Sequence, residues 1–441
     1  MKSLMAGFHR IEITPSGPVS LAGYLNERIS RGVLDPLYAR LALLVSGDDK
    51  ALFIQIDSCL IGDSDVDDIK GKIEDRTGIG RANVIVFASH THTAPALMKL
   101  FGLKKEEEYL RALKGTIVNE AIRLQADIPV SMRTAVFEYP GLAFNRRWFL
   151  KDGRLVTNPP KGSPELDRPE GTVDREIGVA EFRDGHERLK ALFVNISNHT
   201  DTVGGDRISA DWPGYFEKEL GRLLECSVPV LTFIAPQGNI NHFEFDSPKP
   251  QIGEQEAVRI GNAYASLVAA GMNGSCPVRI DRIDGRIRIL TVGPREVSRN
   301  ELADAEKIMT IETESSKADL TAEDLARGDI AVRKIFAREL FRFQREKPDS
   351  YRVPLQLLRV GPIAFAAIPG EPFAEIGLEL KRMGEIGKMT IWPMALANGY
   401  FGYIPLRESF DRGGYETMAS LLNCLSRDAA RRIIDAFASM L

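Results

Sequence analysis

Residues 89–95 read SHTHTAP directly after an apolar run of strand length, so His90 and His92 sit where a strand hands over to a loop. The chain has six histidines, and four fall at junctions of this kind. His199 ends the run ALFVNISNHTDT and His242 lies in the loop IAPQGNINHF, leaving His9 and His186 outside the pattern. Neutral imidazole is the commonest biological metal ligand and suits zinc best among the abundant metals. The leading expectation is a hydrolytic zinc site. The alternative is a set of capping and turn histidines satisfied by backbone groups.

Elements of a particular kind must carry these residues. The runs ALFIQIDSC, NVIVFAS, ALFVNIS and VLTFIAP have strand length and end in polar or Gly-rich junctions, while EEEYLRALKGTIVNEAIRLQA and WPGYFEKELGRLLE place apolar residues at helical steps. Strand followed by helix, several times over, predicts an α/β chain with mixed β-sheets flanked by helices. In such sheets ligands collect at the carboxyl ends of strands, where the histidine motifs fall. Between residues 296 and 350 the sequence turns dense in charge, with a candidate capping box at 321–324 and an amphipathic helix in LARGDIAVRKIFARELFRFQ. This segment reads as an exposed helical insertion, in preference to a partner-binding helix. Past it, VPLQLLRVGPIAFAAIPGE predicts two strands around a turn at Gly361 and Pro362, ending in Glu371. On pattern alone Glu371 is equally a metal ligand or the cap of a helix beginning at Pro372, where the helix dipole favours negative charge.

Of 441 residues, 44% are hydrophobic, 27% charged and 8% aromatic, the balance of an ordinary globular protein. No Ser/Gly linker divides the chain, so 1–441 is expected to be a single domain with insertions. A net charge of −4 without a basic stripe argues against nucleic acid. The N-terminus lacks the apolar stretch of a signal peptide and no run of eighteen apolar residues occurs, so a cytoplasmic protein without a transmembrane segment is expected. Four cysteines (Cys59, Cys226, Cys276, Cys424) lack metal-site spacing and read as buried thiols.

Taken in order, SHTHTAP, NHTDTVGGDRISADWPGYF, APQGNINHF, IPGEP and the pair Tyr403 and Tyr415 resemble the motif series of the catalytic domain of the neutral, non-lysosomal ceramidases. RIEITP, LAGY and GVLDPLYAR near the start agree, so the resemblance spans nearly the whole chain. Ceramidases proper carry a further C-terminal immunoglobulin-like domain that this length does not accommodate. The resemblance implies a zinc-dependent amidase whose Zn2+ is held by His90, His199, Glu371 and Tyr403. The twelve-residue step from Tyr403 to Tyr415 reproduces the family's spacing between its ligand tyrosine and its active-site tyrosine. Two imidazoles, a carboxylate and a weakly bound phenol leave room for a nucleophilic water whose pKa zinc can lower to about 7.

The resemblance also implies catalytic roles. His92 stands beside the metal as proton shuttle or hydrogen-bond donor, since alternate side chains of an extended backbone point apart, although a turn toward Pro95 would overcome this. Arg146, in FNRRW, matches the family's active-site arginine, with Arg147 as the competing assignment; Tyr415 polarises the scissile carbonyl. Departures matter as well. Ala235 and Pro236 stand where ceramidases have a serine, and His242, without a family counterpart, either serves substrate or proton transfer or bonds to a neighbour. The polar, Pro-rich stretch 157–171 reads as an ordered loop near Arg146, unlike the greasy wall that ceramide needs. A small polar or sugar-like N-acyl substrate is therefore expected. Two other classes stay open: a zinc-dependent lyase or isomerase with His92 or His242 as base, and a non-catalytic metal-dependent scaffold that meets a partner through the helix near 321–347. Self-association through the same segment is also open.

Overall fold

The computed structural model describes residues 4–101, 103–139, 141–312, 320, 324 and 326–441. The strands Tyr38–Ser46 and Asp49–Ile56 form a hairpin across the two-residue link Gly47–Asp48, where Gly47 takes φ +64°, the left-handed conformation that tight hairpin turns demand. Both strands are buried on both faces, which explains their near-continuous apolar sequence. One face packs on the helices Asp63–Thr77 and Glu107–Arg123 through Val66, Ile69, Leu113 and Ile117. The other faces an aromatic core containing Phe53, Phe87, Phe193 and Phe233.

The hairpin belongs to a nine-stranded mixed sheet. Its order runs Val230–Ile234, Leu189–Ile196, Glu176–Asp184, Ile128–Glu138, Leu4–Glu12, Tyr38–Ser46, Asp49–Ile56, Val84–Ala88, with Cys276–Val278 paired to Ile128–Glu138. Only the outermost pair at each end is parallel. The sheet curls until its two edge strands meet: Phe87 on one edge stacks on Phe233 of the other with ring centroids 4.6 Å apart. The segment after Thr390–Met394 closes the gap, since Ala395 N–H donates to Ile234 O and Ala88 N–H to Leu396 O. A strand edge would otherwise leave its backbone groups unpaired. A second sheet, Ile283–Val292, Tyr351–Val360, Ile363–Ala367 and Thr390–Met394, lays Phe365 and Trp392 onto the same aromatic core. The expected mixed α/β class is the observed one, and no helix among the described residues is long and apolar enough to cross a membrane.

The insertion joins two strands that pair antiparallel from Ile283↔Val360 to Val292↔Tyr351. It carries helices Arg299–Thr310 and Ile330–Glu346. The capping box expected at 321–324 lies outside the described residues; one does form at Ser298 and Glu301, heading the first helix. Three expectations need correction. The insertion is not simply exposed, because Val332, Phe336, Leu340 and Phe343 of its second helix are buried. The stretch 157–171 is partly sheet, because Leu155–Thr157 and Leu166–Pro169 pair with Arg147–Leu150, satisfying its backbone groups. Cys59 and Cys424 are buried as expected, but Cys276 is exposed on the short edge strand and Cys226 is half-buried.

Candidate active site

Curling of the large sheet brings two parallel strand ends together. Val84–Ala88 leads into His90 at one edge, and Leu189–Ile196 leads into His199 near the other. Thr200 Oγ1 donates to Ser89 O at 2.9 Å, tying the two junctions. The result is His90 Nε2 at 3.1 Å from His199 Nε2 and 3.3 Å from Glu371 Oε2, all three side chains buried. Ligand atoms about 2.0–2.2 Å from a tetrahedral zinc lie roughly 3.3–3.5 Å from one another, so these separations suit one ion.

His90 and Glu371 are each turned inward by a specific partner, and the His199 backbone is held by another. His90 takes φ +70°, costly for a non-glycine residue and common at functional sites. Its Nδ1 donates to Cys59 O at 2.8 Å, which turns Nε2 toward His199 and Glu371. The Cys59 thiol lies 3.8 Å from the same Nδ1, and Cys59, His90 and His92 make a second, overlapping cluster of potential ligands. Tyr400 donates its hydroxyl hydrogen to Glu371 Oε1 at 2.7 Å, while Glu371 Oε2 is buried without a hydrogen bond. Trp212 Nε1 donates to His199 O at 2.8 Å. The ADWPG sequence sets that tryptophan: Asp211 caps the helix Trp212–Leu223 and Pro213 fits its first turn.

Electrostatics point the same way. Burial alone would strip the proton from His90, but the Glu371 carboxylate outweighs it and holds the imidazole well above its ordinary value. Burial likewise opposes ionisation of Glu371, yet His90, Arg146 and the Tyr400 hydrogen bond keep it below the ordinary carboxylate range. Burial first, then the positive charges of His90 and Arg146, hold His199 well below its usual value and therefore neutral. A buried carboxylate facing two imidazoles is a donor set for a divalent cation. The residues present thus fit zinc.

Glu371 does not cap the helix after it. That helix starts at Ala374 with Phe373 at its cap position and no side-chain cap, while the Glu371 carboxylate faces His90 and Tyr400. Tyr403 sits beside Glu371 in the two-residue parallel pairing Glu371↔Tyr403. Its hydroxyl lies 3.0 Å from that of Tyr415, and burial raises both phenols above their ordinary value.

His92 is brought to the same place because the backbone at His90 is not extended: His92 Nε2 lies 3.4 Å from His90 Nε2. Gly23 makes the room, since a Cβ there would meet the His92 ring at 2.5 Å. Arg28 donates to His92 O at 2.6 Å and stacks on Tyr24. Asp201 Oδ1 lies 3.5 Å from His92 Nδ1 and accepts from the Tyr24 hydroxyl at 2.7 Å. Burial lowers His92 to about 4, against the pull of Asp201.

The two arginines divide their work. Arg146 lies over Tyr403 and Tyr415, its guanidinium carbon 5.3 and 5.1 Å from the ring centroids, and donates to Gly238 O at 2.7 Å. Arg147 turns away to Glu170, Gly413 O and Glu416. Glu416, wholly buried, accepts from Arg146 Nε at 3.0 Å, Arg147 at 2.7 Å and Thr157 Oγ1 at 2.7 Å. Gly238 also packs too tightly for a side chain, since a Cβ would meet Glu371 O at 2.3 Å. His242 is buried with Nε2 2.6 Å from Gln251 O, a backbone partner, and its ring lies against Phe243.

Sequence reading passed over Tyr400, Glu416, Asp201, Tyr24 and the Cys59 carbonyl. Glu416 follows Tyr415 and Asp201 lies two residues past His199, so proximity to named residues was a usable signal for both. A backbone carbonyl leaves no mark in a sequence.

Comparison with known proteins places this geometry. No sequence family matches the chain, and no curated protein does. Among solved structures, the neutral ceramidase from Pseudomonas aeruginosa superimposes with a TM-score of 0.73 at 16% identity, over 100% of this chain and 74% of that one. A ceramidase complexed with C2 gives 0.74 at 17% identity, over 100% of this chain and 75% of that one. Full coverage at this similarity means that the chain has the neutral-ceramidase fold.

Proposed function

We propose that the protein is a zinc-dependent amidase that hydrolyses the C–N amide bond of a small polar N-acyl substrate. The observation that carries this reading is the inward-facing triad: Glu371 Oε2 is buried without a hydrogen bond 3.3 Å from His90 Nε2, which lies 3.1 Å from His199 Nε2 and whose ring is tied at Nδ1 to Cys59 O. His90, His199 and Glu371 would hold the ion, with Tyr403 as the fourth ligand. Zinc bound there supplies Lewis acidity and lowers the pKa of a water to about 7.

The side chains around it divide the remaining work. Tyr415 donates a hydrogen bond to the substrate carbonyl oxygen, where charge develops, and Arg146 beside it adds fixed positive charge. His92, neutral through burial and oriented by Asp201, takes or returns a proton at Nε2. His242, bonded to Gln251 O, takes a structural part. The polar substrate rests on the rim beside His92, where the Asp201 side chain is 32% exposed with Tyr24 as its neighbour.

Metal analysis of protein purified without chelator or added metal tests the reading, alongside His199→Ala and assay of N-acyl amines in heavy-oxygen water. About one zinc per chain, lost in the variant, with solvent oxygen in the released acid, is the expected result. No metal in either protein sinks it.

A further inference from the structure

The helical insertion reaches the candidate site. Helix Ile330–Glu346 places Val332, Phe336, Leu340 and Phe343 on one stripe. Its later half, with Ala337, Leu340 and Phe343, is built into the core of the second sheet. Its earlier half is not. Val332 and Phe336 join Leu320 in a small separate cluster, against which Leu25, Phe101, Ile335 and Tyr415 pack. The Phe336 ring is 5.8 Å from Phe101, edge to face, and 6.5 Å from Tyr415. Leu320 N–H donates to Asn26 Oδ1 at 3.4 Å, so the insertion is pinned to the loop that also holds Tyr24 and Leu25.

Two walls therefore meet at consecutive residues. Tyr24 turns its hydroxyl to Asp201 on the polar rim, and Leu25 packs into the aromatic cluster. Tyr415 belongs to both settings: its hydroxyl meets Tyr403 in the site, and its ring meets Phe336 from the insertion. A side chain buried to 4% exposure fills the space it occupies. Any substrate group extending from Tyr415 along this side would have to displace Phe336, which is anchored by the rest of its helix.

We infer that Phe336, backed by Phe101 and Leu25, is a specificity-determining residue that limits the apolar substituent of the substrate to a short acyl group. This rests on the amidase reading above and deepens it. The insertion is thus a fixed wall of the site, and its stripe at 332 and 336 is spoken for by the chain itself.

The test compares native protein with Phe336→Ala, Phe336→Leu and Phe101→Leu, each checked for native metal content and melting behaviour. N-acetyl- and N-hexanoylglucosamine serve as substrates, and acetate, hexanoate and decanoate as binding probes in calorimetry. Native protein should favour the acetyl compound. Phe336→Ala should raise the hexanoyl-to-acetyl ratio of kcat/KM by about tenfold or more, Phe336→Leu by less. The carboxylate series should shift toward longer chains in the same order. An unchanged ratio in folded, metal-loaded variants, or native protein that already prefers hexanoyl, overturns the inference while leaving the amidase standing. If neither amide is cleaved, the amidase reading falls for these substrates and binding decides: a chain-length limit that moves with residue 336 supports the wall, and one that does not, or no binding at all, overturns it.

Discussion

The Tyr400 hydroxyl donates to Glu371 Oε1 at 2.7 Å and so leaves Oε2 as the oxygen facing His90. One phenol thereby chooses which carboxylate oxygen is available to a cation. Outer hydrogen bonds of this kind orient a ligand, and this one also favours the ionised carboxylate. Tyr400→Phe should keep the fold and weaken zinc binding about 10–100-fold, measured by competition with a chelator. Unchanged affinity would mean that packing alone holds the carboxylate. Glu371→Ala should lose most of the metal outright.

Tyr415 faces the opposite requirement. If it acts on the carbonyl oxygen, Tyr415→Phe keeps the metal and lowers kcat about 10²–10³-fold, the usual effect of removing one such donor. Elemental analysis and steady-state kinetics on one preparation separate this from loss of metal. Full activity in a loaded variant removes the assigned role.

Glu416 holds Arg146 and Arg147 at once, with all three groups buried. Removing its charge leaves two guanidinium groups short of a partner, and breaking such a buried pair costs about 3–5 kcal/mol. Glu416→Gln should lower the melting temperature and reduce kcat more than it changes KM, with zinc retained. Native kcat would show that Arg146 needs no such brace.

Lys70 makes a pH prediction away from the site. Burial lowers its ammonium from 10.5 to about 7, and its Nζ lies 2.7 Å from Gln356 Oε1. Between about pH 7 and 10.5 the unfolded chain therefore holds a proton that the folded one has released. Stability must rise with pH across that window, by at most about 1.4 kcal/mol per unit from this group, and is fully gained above the unfolded value. Lys70→Met should flatten the rise in denaturant melts at pH 7.5 and 9.5. A variant that parallels the native slope would show that Lys70 stays charged when folded.

Much of this was legible in the sequence, for local reasons. Apolar runs ending in polar junctions marked the strands before His90 and His199, and helical periodicity marked Glu107–Arg123, Trp212–Leu223 and Ile330–Glu346. These signals survive because burial on one face or two dictates residue type at fixed steps. The sequence could not choose between Glu371 as cap and Glu371 as ligand, because both need a carboxylate just past a strand. Tertiary structure removed the cap reading, by placing Tyr400 and His90 on the side chain and starting the helix at Ala374.

Residue order by itself determined the strands before His90 and His199, the long amphipathic helices, the charged insertion and the short list of groups able to hold a metal. Curvature decided the rest. Only when the large sheet curls until Phe87 stacks on Phe233 do junctions more than a hundred residues apart, at His90 and His199, come within 3.1 Å. The placing of Arg146 over Tyr415 and of Arg147 on Gly413 O, and the seating of Phe336 beside Tyr415, follow from the same long-range packing. Such contacts are set by the summed twist and packing of many elements, which no window of neighbouring residues encodes.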